Sequence, residues 1–210
     1  MAKLLYIEAS PRKSRSKSIE VAQAFLSTLQ STHPSVDIDR LDLWATELPR
    51  FDGDTLDAKY AIMHGQSHLP EQARAWKRVE AVIERFKSAD WYLFSLPMWN
   101  FGIPYVLKHF IDVLVQPGLT FSFSPTEGYK GLVTEKKAAA VYARGGAYSP
   151  GTGAEGYDLQ SKYLSVILGF IGVTDLTNIF VEPTLAPAPG EVEAMVTKAK
   201  EVAVAAAKAW

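Results

Sequence analysis

The stretch Trp91-Tyr92-Leu93-Phe94-Ser95-Leu96-Pro97-Met98-Trp99-Asn100-Phe101-Gly102-Ile103-Pro104 decides how this chain is read. Its first half is apolar at nearly every position. That is the pattern of a strand buried on both faces in a parallel sheet, not the alternation of a half-exposed strand. Pro97 has no backbone N–H to donate and closes the strand. An amphipathic segment over residues 105–114 then predicts a helix. The turn between them holds the amide of Asn100, the aromatics Trp99 and Phe101, and Gly102, where a backbone can come close to a flat ligand.

The same alternation extends in both directions. Residues 3–9, 36–43, 137–143 and 174–181 read as further strands, and residues 71–87, 157–170 and 191–208 as helices. Ala22, Phe25, Leu26 and Leu29 mark one face of a first helix, with Ser16 or Ser18 as its N-cap. Residues 118–123 suggest a short strand or hairpin arm. Residues 48–70 form a long excursion with one short helix near 55–61. Strands alternating with helices predict a doubly wound five-stranded parallel sheet of order 2-1-3-4-5, with helices on both faces, as one domain over residues 1–210. In such sheets ligands bind beyond the carboxyl ends of the strands, at the switch point. The loops after strands 1, 3 and 4 therefore line one crevice.

Bulk composition removes several function classes. The chain has 210 residues, 48% of them hydrophobic, and a formal net charge of -1, so no basic field exists to attract nucleic acid or an anionic membrane. It contains no cysteine, which excludes disulfides, thiolate metal sites and a thiol nucleophile. The longest apolar run, residues 164–173, is far short of the ~20 residues of a membrane helix. A cytoplasmic protein is the expectation. His64 and His68 stand four apart, but Gly65 between them and the lack of a third ligand favour two loop histidines over a metal site. Asp37, Asp39 and Asp42 read as the solvent face of the second strand.

The crevice loops carry a specific chemistry. The first offers the hydroxyls of Ser10, Ser14, Ser16 and Ser18 with the cations Arg12, Lys13, Arg15 and Lys17 at the start of a helix, where free N–H groups and the positive end of the dipole suit a phosphate. The third-strand loop offers aromatic surface, Asn100 and backbone amides, and the fourth offers Arg144, Gly145 and Gly146. An arginine and bare backbone N–H groups suit the negative charge that a reduced conjugated ring develops. Phosphate at one loop and ring against the other two give the outline of FMN. Residues 151–156 match the dinucleotide fingerprint G-x-G-x-x-G, but they lie well past the end of the fourth strand, where that motif does not function. The chain has no G-x-S-x-G elbow for a hydrolase nucleophile.

The segments PMWNFGIP (97–104), LKHFID (107–112), GLTFSF (118–123), EGYKGL (127–132), ARGG (143–146) and LSVILGFIGVTD (164–175) resemble, in that order, the flavodoxin-like FMN-dependent NADH-azoreductases and quinone reductases of bacteria. The resemblance spans essentially the whole chain. It implies a homodimeric cytoplasmic enzyme holding FMN at the subunit interface. Ser10 and Ser16–Ser18 would bind the phosphate side, Pro97 to Phe101 the isoalloxazine, and Ala143 to Gly146 its pyrimidine end. NADH or NADPH and a quinone or azo acceptor would use one slot in turn, walled by Trp99, Phe123, Tyr129, Tyr148 and Phe170, with Phe170 a candidate from the partner subunit. No side chain is assigned as catalytic, because the flavin N5 carries the chemistry. The competing expectation is a flavodoxin-like electron carrier without an acceptor slot. Such carriers are usually shorter and strongly acidic, unlike this chain.

Overall fold

The computed structural model describes residues 2–63, 69–185, 188 and 190–210, apart from the side chain of Met63. His64 and His68 lie outside the described residues. In chain order the elements are β1 (Lys3–Glu8), a 3₁₀ turn (Lys13–Arg15), α1 (Lys17–Thr32), β2 (Asp37–Asp42), α2 (Gly53–Met63), α3 (Pro70–Lys87), β3 (Trp91–Pro97) and α4 (Tyr105–Leu114). There follow β4 (Phe121–Ser124), β5 (Gly128–Gly131), β6 (Lys137–Ala143), a second 3₁₀ turn (Glu155–Tyr157), α5 (Leu159–Ile171), β7 (Asp175–Val181) and α6 (Glu191–Lys208).

Five strands form a parallel sheet in the order β2-β1-β3-β6-β7. Counted over all strands this differs from the expected 2-1-3-4-5. The reason is that β4 and β5 leave the sheet and pair with each other as an antiparallel hairpin. Gly128, with φ of 72°, supplies the left-handed backbone of its turn. The segments expected as fourth and fifth strands occupy the two places beyond β3.

The side-chain alternation of the central strands divides the interior into two layers. Leu5, Ile7, Tyr92, Phe94, Ala138, Ala140 and Tyr142 face one side, where α3, α4 and α5 pack with Val79, Ile83, Phe86, Phe110, Ile111, Leu164 and Leu168. Leu4, Tyr6, Leu93, Ala139 and Val141 face the other, under α1 and α6. Both layers are alanine-rich on β6, which lets the covering helices approach the sheet closely. Among the described residues no helix is long and apolar enough to cross a membrane.

The second strand departs from its expected solvent face. Asp39 accepts from Arg85 Nη2 at 2.6 Å and pairs with Lys3 at 3.2 Å, and Asp42 pairs with Lys13. Two of the three acids are thus tied to neighbouring elements. The Arg85 hydrogen bond, working against partial burial, holds the Asp39 carboxyl below its ordinary pKa. In the excursion, α2 lies against α3, and His109 contacts the Pro49 carbonyl oxygen through Nε2 at 2.8 Å.

Candidate functional site

The loop after β1 turns sharply and leads into α1. Ser16 caps the helix, its Oγ accepting from the Ile19 N–H at 3.4 Å, and it meets Ser18 Oγ at 3.1 Å. Ser10, Ser16 and Ser18 are all buried. Among the described residues the N–H groups of Lys17 and Ser18 have no partner, which leaves an anion site of two hydroxyls and two N–H donors at a helix start. The Lys17 ammonium is not part of it: it bonds Glu20, which also pairs with Lys200. Lys13 is likewise engaged, by Glu8 at 2.7 Å and by Asp42. Burial alone would lower the Lys13 pKa, but these two carboxylates hold it above the ordinary value.

The loop after β3 makes a two-residue turn. Trp99 N–H donates to the Gly102 carbonyl at 3.0 Å and Gly102 N–H returns to Trp99 at 2.9 Å. Between them Asn100 and Phe101 both have positive φ, 47° and 67°. This is type I′ geometry, which favours Asn followed by Gly. A phenylalanine at the second place is strained, and strain of this kind is kept where it serves a site. Among the described residues neither Asn100 nor Phe101 uses its backbone N–H. Met98 N–H bonds the Ala143 carbonyl at 2.8 Å, joining this turn to the loop after β6.

In that third loop the structure corrects the role expected of Arg144. The side chain is fully buried and points into the protein, beneath the loop. Its Nη2 donates to both Asp158 oxygens at 3.0 Å, Nη1 to Glu182 at 3.2 Å and Nε to Gln160 at 3.1 Å. The guanidinium also lies 4.3 Å from the Phe180 ring centroid. Its charge is neutralised within this network and is not presented to a ligand. Asp158 is subject to burial, which raises its pKa, but hydrogen bonds from Ser161 and the charge of Arg144 win, and the carboxyl sits below its ordinary value. What the loop does present is backbone. Among the described residues the N–H groups of Gly145 and Gly146 have no partner.

Comparison with known proteins agrees with this geometry. Residues 2–205 match the family described as having a flavodoxin-like fold. An FMN-dependent NADH:quinone oxidoreductase of Desulfotalea psychrophila is 50% identical over 208 residues, covering 99% of this chain and 97% of that one. The chain belongs to this family. Among solved structures, an azoreductase of Bacillus anthracis superimposes with a TM-score of 0.91 at 32% identity over the full length of both chains. A second azoreductase from that species, solved in complex with FMN, has a TM-score of 0.88 at 28% identity, covering 99% and 100% of the two chains.

Within this oxidoreductase fold the expected wall residues divide into two groups. Trp99 and Tyr148 stand at the crevice. Trp99 is 36% exposed and packs with Trp44 at 5.8 Å and Tyr105 at 6.1 Å between ring centroids. Trp44, which the sequence reading missed, is anchored by its Nε1 donating to the Ala9 carbonyl at 3.0 Å. Phe101 stacks on Tyr157 at 5.0 Å and meets Tyr148 edge-on at 6.1 Å. Phe123, Tyr129 and Phe170 are elsewhere. They cluster at the β4–β5 hairpin, with Tyr129 5.5 Å from Phe170. Phe170 ends α5, whose first turn lies at the Arg144 network, so a helix of about 20 Å separates this cluster from its own crevice. The fingerprint at 151–156 is occupied internally, since Gly151 N–H donates to Glu155.

The donor set fits a flavin mononucleotide. Hydroxyls and N–H groups at a helix start suit a dianionic phosphate, and the free N–H groups of Asn100, Phe101, Gly145 and Gly146 lie on two joined loops beside the rings of Trp99 and Tyr148.

Proposed function

We propose that residues 1–210 form a single FMN-binding domain that oxidises NADH and reduces quinones and aromatic azo compounds, the two substrates using one slot in turn. The observation that carries this reading is the convergence of three loops, each with unpartnered backbone N–H groups, at the carboxyl edge of the sheet. Ser10, Ser16 and Ser18 hydroxyls and the first N–H groups of α1 would hold the phosphate. Pro97 to Phe101 and the backbone of Ala143 to Gly146 would hold the ring. Bound FMN supplies hydride acceptance from the nicotinamide and electron delivery to the acceptor. The protein then has to orient two flat molecules in succession, and Trp99 and Tyr148 are placed to do so. Its relatives' activity favours this enzyme over an electron carrier, and a cytoplasmic location follows from the use of NADH.

A homodimer completes the slot. An apolar groove of about 510 Å³, lined by Gly102, Ile103, Leu159, Tyr163 and Val166 with the stems of two lysines, runs between α4 and α5 beside the crevice. Leu159 and Val166 are 57% and 70% exposed on it. Two-fold pairing of α5 with a second copy would cover this face. It would also carry the hairpin at the far end of each α5 to the other copy's crevice, bringing in Phe123, Tyr129 and Phe170.

Initial-rate kinetics test the function. With FMN present, parallel double-reciprocal plots for NADH at several fixed quinone or azo-dye concentrations are expected. Bound FMN that NADH does not reduce would refute the enzyme reading and leave the carrier.

A further inference from the structure

Glu182, just past β7, gathers donors that no motif in the sequence connects. Its Oε2 accepts from Arg144 Nη1 at 3.2 Å and from the Tyr148 N–H at 3.0 Å, and its Oε1 accepts from the Ser149 N–H at 2.9 Å. The side chain is only 8% exposed. One carboxylate therefore ties both ends of the segment 144–149, with the N–H groups of Gly145 and Gly146 left without a partner between them among the described residues. Two further bonds brace that span: Thr184 N–H donates to the Arg144 carbonyl at 2.8 Å and Leu185 N–H to the Gly145 carbonyl at 3.1 Å. Both come from residues two and three places after Glu182, so the chain after β7 supports the loop from below.

The charge balance of the network points the same way. Arg144 already has a bidentate partner in Asp158 at 3.0 Å on both oxygens. One guanidinium against two carboxylates leaves an excess negative charge in a buried site. Neutralising Arg144 did not require Glu182. The carboxylate that exceeds this need is the one that holds two backbone N–H groups of the loop.

We propose that Glu182 is a positioning residue for the flavin. It fixes the Arg144–Ser149 loop so that the Gly145 and Gly146 N–H groups face the ring, and its charge disfavours the extra negative charge of the reduced ring, keeping the cofactor strongly reducing. The proposal rests on the FMN reading above.

Glu182→Gln is the test, because it removes the charge while Arg144 keeps Asp158 and the fold keeps its buried pair. Amide hydrogen exchange of the FMN-free protein is followed in peptides covering 144–149, with β6 as internal reference. The FMN dissociation constant and the midpoint potential of the bound flavin are then measured by titration. The expected results are faster exchange confined to 144–149, FMN affinity weakened about tenfold, because binding must then order the loosened loop, and a midpoint potential moved in the positive direction. Unchanged exchange, or an unchanged potential whatever the affinity does, overturns the proposal. Glu182→Asp keeps the charge but withdraws it by one methylene, and it should speed exchange while leaving the potential nearer wild type. If Glu182→Gln does not fold, exchange in Glu182→Asp decides, and wild-type rates there overturn the proposal. A wild-type protein that takes up no FMN refutes the functional reading instead, and the exchange rates alone then decide whether Glu182 fixes the loop.

Discussion

Asp158 is the residue on which the loop after β6 and the start of α5 both depend, and its removal has a calculable cost. Asp158→Ala deletes both carboxylate bonds to Arg144 Nη2, each 3.0 Å, in a site where the guanidinium has no exposure to water. It also deletes the N-cap of α5, in which Asp158 accepts from the Ser161 N–H at 2.9 Å and from the Ser161 hydroxyl. Breaking a buried pair costs about 3–5 kcal/mol, and Glu182 remains to share the charge, so the lower figure applies. Loss of the cap adds about 1 kcal/mol. The sum of about 4 kcal/mol is a large part of the 5–15 kcal/mol that typically separates folded from unfolded chains. In urea unfolding of the FMN-free protein at pH 7, followed by tryptophan fluorescence, the midpoint should fall by about 2 M for a slope near 2 kcal/mol/M. Asp158→Asn keeps the cap and should lose about half as much. A midpoint shift below about 0.5 M for Asp158→Ala would refute the reasoning, since Arg144 would then be satisfied without its main partner.

Other expectations follow from particular residues. Because the folded Asp158 pKa lies below its unfolded value, its ionic contribution is present above about pH 4 and is lost as the pH falls through the lower folded value; the gap between the urea midpoints of wild type and Asp158→Asn should therefore hold from pH 7 to about pH 4 and narrow as the pH is lowered further, and a gap that never narrows would count against the pairing. Phe101→Gly creates the Asn-Gly pair that a type I′ turn prefers, so strain relief of about 1–2 kcal/mol should offset the lost stacking on Tyr157. Its stability should stay within about 1 kcal/mol of wild type while FMN binds more weakly, and unchanged FMN affinity would remove Phe101 from the ring site. At Gly131 a side chain would collide with the backbone of Ile171 and Gly172; Gly131→Ala should cost about 2 kcal/mol or more in thermal unfolding, and a neutral result would mean the hairpin is not seated there. Trp99→Ala should change the ratio of quinone to azo turnover more than FMN affinity, and a loss of thermal stability alone would make Trp99 a packing residue for Trp44 and Tyr105.

Much of the fold was legible because buried parallel strands write themselves as unbroken apolar runs. The β3 and β6 segments, Trp91–Pro97 and Lys137–Ala143, are of this kind, and the helical periodicity after the serine-rich loop narrowed the cap to Ser16 or Ser18, of which Ser16 is the cap. The hairpin was half legible: Phe121 and Phe123 suggested one arm, but the four residues Gly128–Gly131, with a glycine at each end, carry too little pattern to show the other. The site was readable as a set of loops and less so as a set of side-chain roles. Arg144 looked like a ligand-facing charge because its partners Asp158 and Glu182 lie 14 and 38 residues away in sequence. Lys17 looked free because its partner, Glu20, also reads as an ordinary surface residue of α1. Trp44 gave no signal, since a tryptophan after an edge strand is ordinary until the sheet order places it beside Trp99. The separation of Phe123, Tyr129 and Phe170 from their own crevice is a fact of three dimensions that only the length and direction of α5 reveal.

The visible spectrum of the purified protein, reconstituted with FMN and followed anaerobically as NADH and then a quinone are added, tests the central claim most directly. Yellow absorbance that bleaches with one equivalent of NADH and returns with one of quinone is expected. A protein that remains colourless after incubation with FMN would contradict the assignment of all three loops.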